Sequence, residues 1–302
     1  MMFKINRDIK FSKFYKKMNI ISFILILLSI TVLIIKGLNL GVDFKGGTLI
    51  EIRSENKEIH ISEIRQSLLK MNLGDVTVKN FGKANDYLVK IEINKSNDPS
   101  FIESIKNKLT SDLGSVVNFR RVENVGPKVS AELLKAGLLA ITLSLAAMLI
   151  YIWIRFEWQF SVGAIAALIH DVLITLGFFS LLSYEVNLSI VAAVLTIVGY
   201  SMNDTVVIFD RIRENLKEHA KISISDISNV STNETLSRTI ITSLTTLLAL
   251  FSIYIFGGAI LKGFSFAMII GVIVGTYSSI FVATPILNYT NVSQKTVLKE
   301  DN

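Results

Sequence analysis

Apolar residues along this chain gather into six long runs, and polar residues into one extended block and a few short connections. A helix needs about 20 predominantly apolar residues to cross a bilayer. The runs predict transmembrane helices over residues 19–36, 132–155, 160–182, 188–209, 235–257 and 263–287. The first stays uncharged through Ile35, and a basic stretch precedes it. Its apolar core is longer than that of a signal peptide and no small-x-small cleavage site follows, so it reads as a retained span.

The polar block over residues 37–131 has its own periodicities. Gly47–Arg53 alternates as a strand does, and His60–Met71 has helical spacing through Ile61, Ile64, Leu68 and Leu69. Asp75–Phe81 and Tyr87–Ile93 alternate again, with a hairpin turn at Gly82–Asp86. Pro99 opens a helix over Ser100–Leu113, and Ser115–Val125 is a last strand. The order β-α-β-β-α-β predicts a ferredoxin-like sheet with both helices on one face. The fold class is therefore a polytopic α-helical membrane protein with one external α+β domain between helices 1 and 2. A block of this size can form its own core.

Composition agrees with that class. Of 302 residues 51% are hydrophobic, and the mean hydropathy is +0.52. There is no cysteine, which excludes disulfides, thiol chemistry and cysteine metal sites. The net charge of +6 fits topology better than nucleic acid. Lys4, Arg7, Lys10, Lys13, Lys16 and Lys17 precede the first span, Arg155 follows the second, and Arg211, Arg213, Lys217 and Lys221 follow the fourth. The opposite short loops carry little more than Lys262. This is the positive-inside pattern. It predicts a cytoplasmic tail at 1–18, a cytoplasmic loop at 210–234, a cytoplasmic tail at 288–302, and the 37–131 domain outside.

Three spans carry charge. A charge at the centre of the hydrocarbon costs about 2.5–3.5 kcal/mol or more, so such residues face the bundle interior and find partners. Asp171 lies mid-span in the third helix, and its neighbour His170 points about 100° away, so the two need not touch. Asp171 reads either as a proton-carrying carboxylate or as a hydrogen-bonded link between helices. It has no evident partner in this chain. In the fourth span Thr196, Tyr200, Asn203, Asp204, Val207 and Arg211 recur at steps of three and four. In the fifth, Thr235, Arg238, Thr239, Thr242, Thr245 and Thr246 do the same. Asp204 lies about 7 Å, and Arg238 about 6 Å, inward from the cytoplasmic ends of their spans. An Asp204–Arg238 pair is thus available, with Asn203, Thr205, Thr239 and Thr242 as a supporting polar face. It reads as a proton switch or as a static ion pair that fixes packing. Asp210, Arg211, Arg213 and Glu214 read as a solvated helix end. Gly271 and Gly275 form a G-x-x-x-G, a common close-packing motif.

No H-E-x-x-H, G-x-S-x-G or G-x-x-x-x-G-K-[ST] occurs, so the sequence supports no protease or ATPase chemistry. No enzyme activity, cofactor or metal is expected.

Gly41-Val42-Asp43-Phe44-Lys45-Gly46-Gly47-Thr48 resembles the G-[VL]-D-F-x-G-G signature of the SecF family of protein-export membrane subunits, in the resistance-nodulation-division superfamily. The run from Gly199 to Asn215 is similar to that family's fourth-span motif. Leu236–Ile240, Gly275–Phe281 and Val122–Pro127 match further segments in the family's order. The resemblance implies a half-transporter of the bacterial inner membrane, with both termini cytoplasmic. Its implied partners are SecD on a separate polypeptide, the SecYEG channel, YajC, the translocating polypeptide and membrane lipid, and no nucleic acid. It implies that Asp204 and Arg238 lie on the proton path and that SecD contributes a further membrane carboxylate, which leaves a partner for Asp171 in SecD an open question. Gly46 and Gly47 permit a sharp bend after the first span, which makes Asp43, Gly46 and Gly47 a hinge more readily than a substrate contact. Two other readings stay open: a small-solute transporter on the same fold, and a scaffold that only stabilises the export channel.

Overall fold

The computed structural model describes residues 8–55, 59–82, 85–92, 99–114, 116–219 and 222–298. A 3-10 turn at Phe11–Phe14 leads into α1 (Tyr15–Lys36), β1 (Asn39–Leu40), α2 (Val42–Lys45) and β2 (Gly47–Ser54). There follow α3 (Ile61–Leu69), β3 (Val76–Asn80), β4 (Asp86–Ile91), α4 (Pro99–Leu113) and β5 (Val117–Val125). The remainder is α5 (Pro127–Arg155), α6 (Trp158–Leu182), β6 (Glu185–Val186), α7 (Leu188–Glu218), α8 (Ile224–Phe256) and α9 (Gly258–Ser278). A π-helical segment at Ser279–Ala283 then joins α9 to α10 (Thr284–Tyr289), and α11 (Gln294–Leu298) ends the described chain. Among the described residues, six helices are long and apolar enough to cross a membrane. The chain divides into two compact units, Leu40–Leu138 with Glu185–Leu188, and the rest.

In the smaller unit the four-stranded sheet has the order β3-β4-β2-β5 and is antiparallel throughout. That is the ferredoxin-like arrangement. Alternation decides its faces. Ile50, Ile52, Val76, Val78, Tyr87, Val89 and Ile91 share one core with Ile64 and Leu68 of α3 and Ile105 and Leu109 of α4. Tyr87 closes the core edge by accepting from the Ile59 amide at 2.8 Å. The alternate β2 positions carry charge, and Arg53 pairs with Asp86 at 2.5 Å. Between Glu51 and Ile52 the β5 register jumps from Arg121 to Phe119. The extra residue, Arg120, swings onto this face, 3.6 Å from Glu51 and 3.7 Å from Asp86. The predicted turn at 82–86 and the predicted strand start at Ser115 lie partly outside the described residues.

In the larger unit α6, α7 and α9 are central. Half of the most apolar stretch of α6 and α7, and 56% of that of α9, is buried, against 6% for α1, 11% for α5 and 17% for α8. The outer helices therefore present apolar side chains that a bilayer or another protein covers. Phe156, Phe160 and Phe209 pack ring against ring where α5, α6 and α7 meet, with centroids 5.1–6.3 Å apart.

The polar ends are more ordered than their composition implies. Within the predicted cytoplasmic segment 210–234, α7 runs to Glu218 and α8 starts at Ile224. Ile212, Leu216 and Ile227 keep a helical spacing into the charged region and are buried. Ser223 caps α8 by accepting from the Asp226 amide. The N-terminal strap is held by Asn233, which accepts from the Ile9 amide, and by Asn229, which accepts from the Ser12 amide. Val297 of α11 is fully buried in the same cluster.

Candidate functional site

Asp171 lies on α6 with no exposed surface. Its carboxylate takes three donors. His170 Nδ1 reaches Oδ1 at 2.8 Å, and Oδ2 accepts from Ser201 Oγ of α7 at 2.5 Å and from Ser278 Oγ of α9 at 2.8 Å. The expectation that Asp171 lacks a partner in this chain is corrected: it joins three helices of the chain itself. The expectation that His170 and Asp171 stand apart is corrected too. Neighbouring Cα atoms are only about 3.8 Å apart, so both side chains can turn back along the helix and meet.

The small residues of α9 make this junction possible. A Cβ on Gly271 would meet Ile197 Cγ1 at 2.3 Å, and one on Gly275 would meet Ser201 Cβ at 3.0 Å. The G-x-x-x-G is therefore the seam along which α9 approaches α7, and it brings Ser201 and Ser278 to one carboxylate. Gly271→Ala is expected to lower bundle stability by about 1–3 kcal/mol through overpacking. Adding Ile197→Ala should restore part of that loss, read as non-additive thermal midpoints in detergent. Strictly additive losses would show that this contact does not set the seam.

Asp204 of α7 is 4% exposed. The hydroxyls of Ser243 on α8 and Thr276 on α9 lie beside its carboxylate and bond each other at 2.7 Å. Its Oδ2 is buried with no hydrogen-bond partner among the described residues. Arg238 is exposed on α8. No ion pair within 4.0 Å joins it to Asp204 among the described residues, and the two charges act on each other at longer range. The α8 residue beside the carboxylate is Ser243, and Arg238, five residues earlier on that helix, acts on it only through its charge. The supporting face divides similarly. Thr205 and Thr239 are buried, Thr242 is half-buried and bonds its own helix at the Arg238 carbonyl, and Asn203 is exposed. Asn203 on α7 and Arg238 on α8 are thus the exposed members of that set.

The charged helix ends are paired. Arg211 bonds Glu234 and Glu214, Arg155 bonds Asp210, and Arg213 lies 3.2 Å from buried Glu157. Asn215 ties α7 to α8 through Ser231 and Glu234. In the smaller unit, Asp43 Oδ2 accepts from the amide of Leu188 at 2.9 Å. Leu188 is the first residue of α7, so Asp43 caps that helix from a distant part of the chain. The Gly41 amide donates to the Val186 carbonyl at 2.8 Å. Gly46 and Gly47 turn the chain into β2 with φ of +79° and +114°.

Reading the sequence by charge alone misses Ser201, Ser243, Thr276 and Ser278. Hydroxyls do not stand out within apolar spans. The available signal was their placement at the glycine seam.

Comparison with known proteins agrees with this architecture. Residues 105–293 match the family described as "Protein export membrane protein SecD/SecF, C-terminal", and residues 31–58 match the "SecD/SecF GG Motif". The chain is 45% identical over 281 residues to "Protein translocase subunit SecF" of Rickettsia rickettsii, covering 93% of this chain and 91% of that protein. It is 48% identical over 271 residues to the protein of the same name from Calditerrivibrio nitroreducens, covering 88% of each. Among solved structures, the crystal structure of SecDF, "a translocon-associated membrane protein", from Thermus thermophilus superposes with a TM-score of 0.86 at 33% identity over 97% of this chain. A second SecDF structure, in a "Super-membrane-facing form", gives 0.67 at 30% identity over the whole chain. The chain spans 40% of the length of each of those SecDF chains. With a family match over most of its length and translocase-subunit relatives well above 40% identity, the chain belongs to the SecD/SecF family of protein export membrane proteins.

Proposed function

We propose that this chain is one half of a proton-driven accessory to protein export. In this reading it spans the bacterial inner membrane with both termini cytoplasmic and pairs with a SecD half. It works beside the SecYEG channel, with YajC as a further neighbour, on the late stage of polypeptide export. It is a transport subunit rather than an enzyme. The translocase-subunit names of its relatives and the SecDF likeness support export and the SecD partnership.

The observation that carries proton coupling is Asp204. A carboxylate almost wholly withdrawn from solvent, with one oxygen lacking a hydrogen-bond partner among the described residues, sits in a span whose neighbour carries an exposed arginine that acts on it through its charge. Such residues in membranes mark ion and proton paths. An exposed Arg238 is costly against lipid and calls for a polar partner helix, which a SecD half would supply.

The test uses membrane vesicles that export a model secretory protein, with and without this chain, under an imposed or a collapsed proton gradient. Export is expected to rise with the gradient only when the chain is present. Equal gradient stimulation in vesicles lacking it would overturn the reading.

A further inference from the structure

We propose that His170 and Asp171 form a second, internal proton-holding site that takes one proton at His170 Nε2 and reports its occupancy to α7 and α9. This rests on the proton-driven reading above and adds a site that reading does not need.

Both side chains are buried, His170 at 1% exposure and Asp171 at 0%. In the proposed empty state Asp171 is ionised and can only accept, and His170 Nδ1 carries the hydrogen shared with Oδ1 across 2.8 Å. Nε2 then presents a lone pair. It is buried and has no partner among the described residues. Buried polar atoms are rarely left this way, and a buried basic nitrogen beside an anion is a place where a proton can be held. The ring of Tyr277 stacks on the imidazole at 6.0 Å and 25°, an arrangement that favours a cationic ring. The Tyr277 hydroxyl is fixed by Ser22 Oγ at 2.9 Å and by the Met18 carbonyl at 2.8 Å, so the stack is held in place.

Few other groups face the pair. From α9 there are Tyr277 and Ser278, and from α7 Ser201. Between Asn19 and Ile35 α1 has no charged residue, the Ser279–Ala283 segment has none, and α10 has only Tyr289, which is exposed. The nearest acid on α7 is Asp204, three residues beyond Ser201, about 4.5 Å along the axis. Loading is a single step: a proton from water adds to the Nε2 lone pair, no bond breaks, and the net charge of the site goes from −1 to 0. Once the anion is balanced by the imidazolium, its hold on the Ser201 and Ser278 hydroxyls weakens. Ser278 directly precedes the π-helical segment. Such segments recur at functional sites because the helix ladder there is already shifted.

The test is nitrogen-15 NMR of histidine-labelled full-length chain in lipid nanodiscs. His60→Gln and His219→Gln leave His170 as the single histidine. The expected wild-type result is a neutral ring protonated on Nδ1 that gains a proton on Nε2 as the pH falls. Asp171→Asn, which keeps an acceptor for the hydroxyls, is expected to displace that change by removing the anion. Ser278→Ala removes a donor to the carboxylate, so it is expected to raise the midpoint, and it also serves if the asparagine variant does not fold. A ring that stays in one state over pH 5–9, or a midpoint that both variants leave in place, would overturn the site. Those results do not depend on export. Loss of gradient stimulation in the vesicle assay alone would sink the proton-driven reading and leave the titration standing.

Discussion

Asp204→Asn is expected to bring gradient-stimulated export down to the level seen with the gradient collapsed, while the chain still folds and inserts. Asparagine is close in shape and keeps one carbonyl oxygen toward Ser243 and Thr276, so the α7–α8–α9 junction retains its packing. It cannot gain or lose a proton, so the side chain stops sensing the gradient. The size of the loss is bounded by physics. The membrane potential supplies about 2.3 kcal/mol per charge per 100 mV. At 1.4 kcal/mol per tenfold, one proton per cycle can shift an equilibrium by roughly 40-fold at 100 mV. In the proposed proton-driven reading Arg238 enters through its charge: with Asp204 ionised the two attract at a distance, and protonation would release Arg238. Arg238→Lys should therefore keep part of the stimulation that Arg238→Ala loses. The measurement is export against imposed potential for the three variants at matched protein levels. Full stimulation in Asp204→Asn would remove Asp204 from any energetic role.

How legible this was depends on the length scale of each interaction. The outer domain could be read almost strand by strand, because alternation along β2 and β4 is a local property and burial of Ile50, Ile52, Val89 and Ile91 follows from it. The spans could be read because hydrophobicity over about 20 residues is also local. Position along a helix axis follows from the fixed rise per residue. Rotation was not legible: which side of α8 meets α7 is decided by packing, and Ser243 rather than Arg238 lies beside the Asp204 carboxylate. The partners of Asp171 were hidden for the same reason. Ser201 and Ser278 are 30 and 107 residues away in sequence, and only the seam of Gly271 and Gly275 brings them in. The extension of α7 and α8 through charged sequence was obscured because charge at a helix end resembles a loop until Ile212, Leu216 and Ile227 are seen to share a buried side.

Gly47→Ala is expected to unseat the first strand of the outer domain, at a cost of about 3–5 kcal/mol. Two penalties act together. The backbone there has φ +114°, a region that side-chain-bearing residues occupy at about 1–3 kcal/mol. A Cβ would also sit 2.5 Å from the carbonyl oxygen of Ile91, and overpacking adds about 1–3 kcal/mol. That neighbour is backbone within the β2–β4 ladder, where Thr48 faces Ile91, so it cannot turn aside as a side chain would. Gly46 differs: its φ is +79°, and its nearest atoms, the Val125 carbonyl at 3.3 Å and Ser130 Oγ at 3.4 Å, leave room for a small shift. Gly46→Ala should cost about 1–2 kcal/mol. Domains of this size are stable by about 5–13 kcal/mol, so only the Gly47 change takes a large share. Amide hydrogen exchange of the full chain separates the cases, with faster exchange across β2 and β4 for Gly47→Ala and near wild-type protection for Gly46→Ala. Unchanged protection in Gly47→Ala would mean that the motif's second glycine answers to something other than this turn. If protection falls as expected, a second effect follows at Asp43. It lies on the same short segment, its bond to the Leu188 amide caps α7, and displacing that segment should free the Leu188 amide to exchange as well.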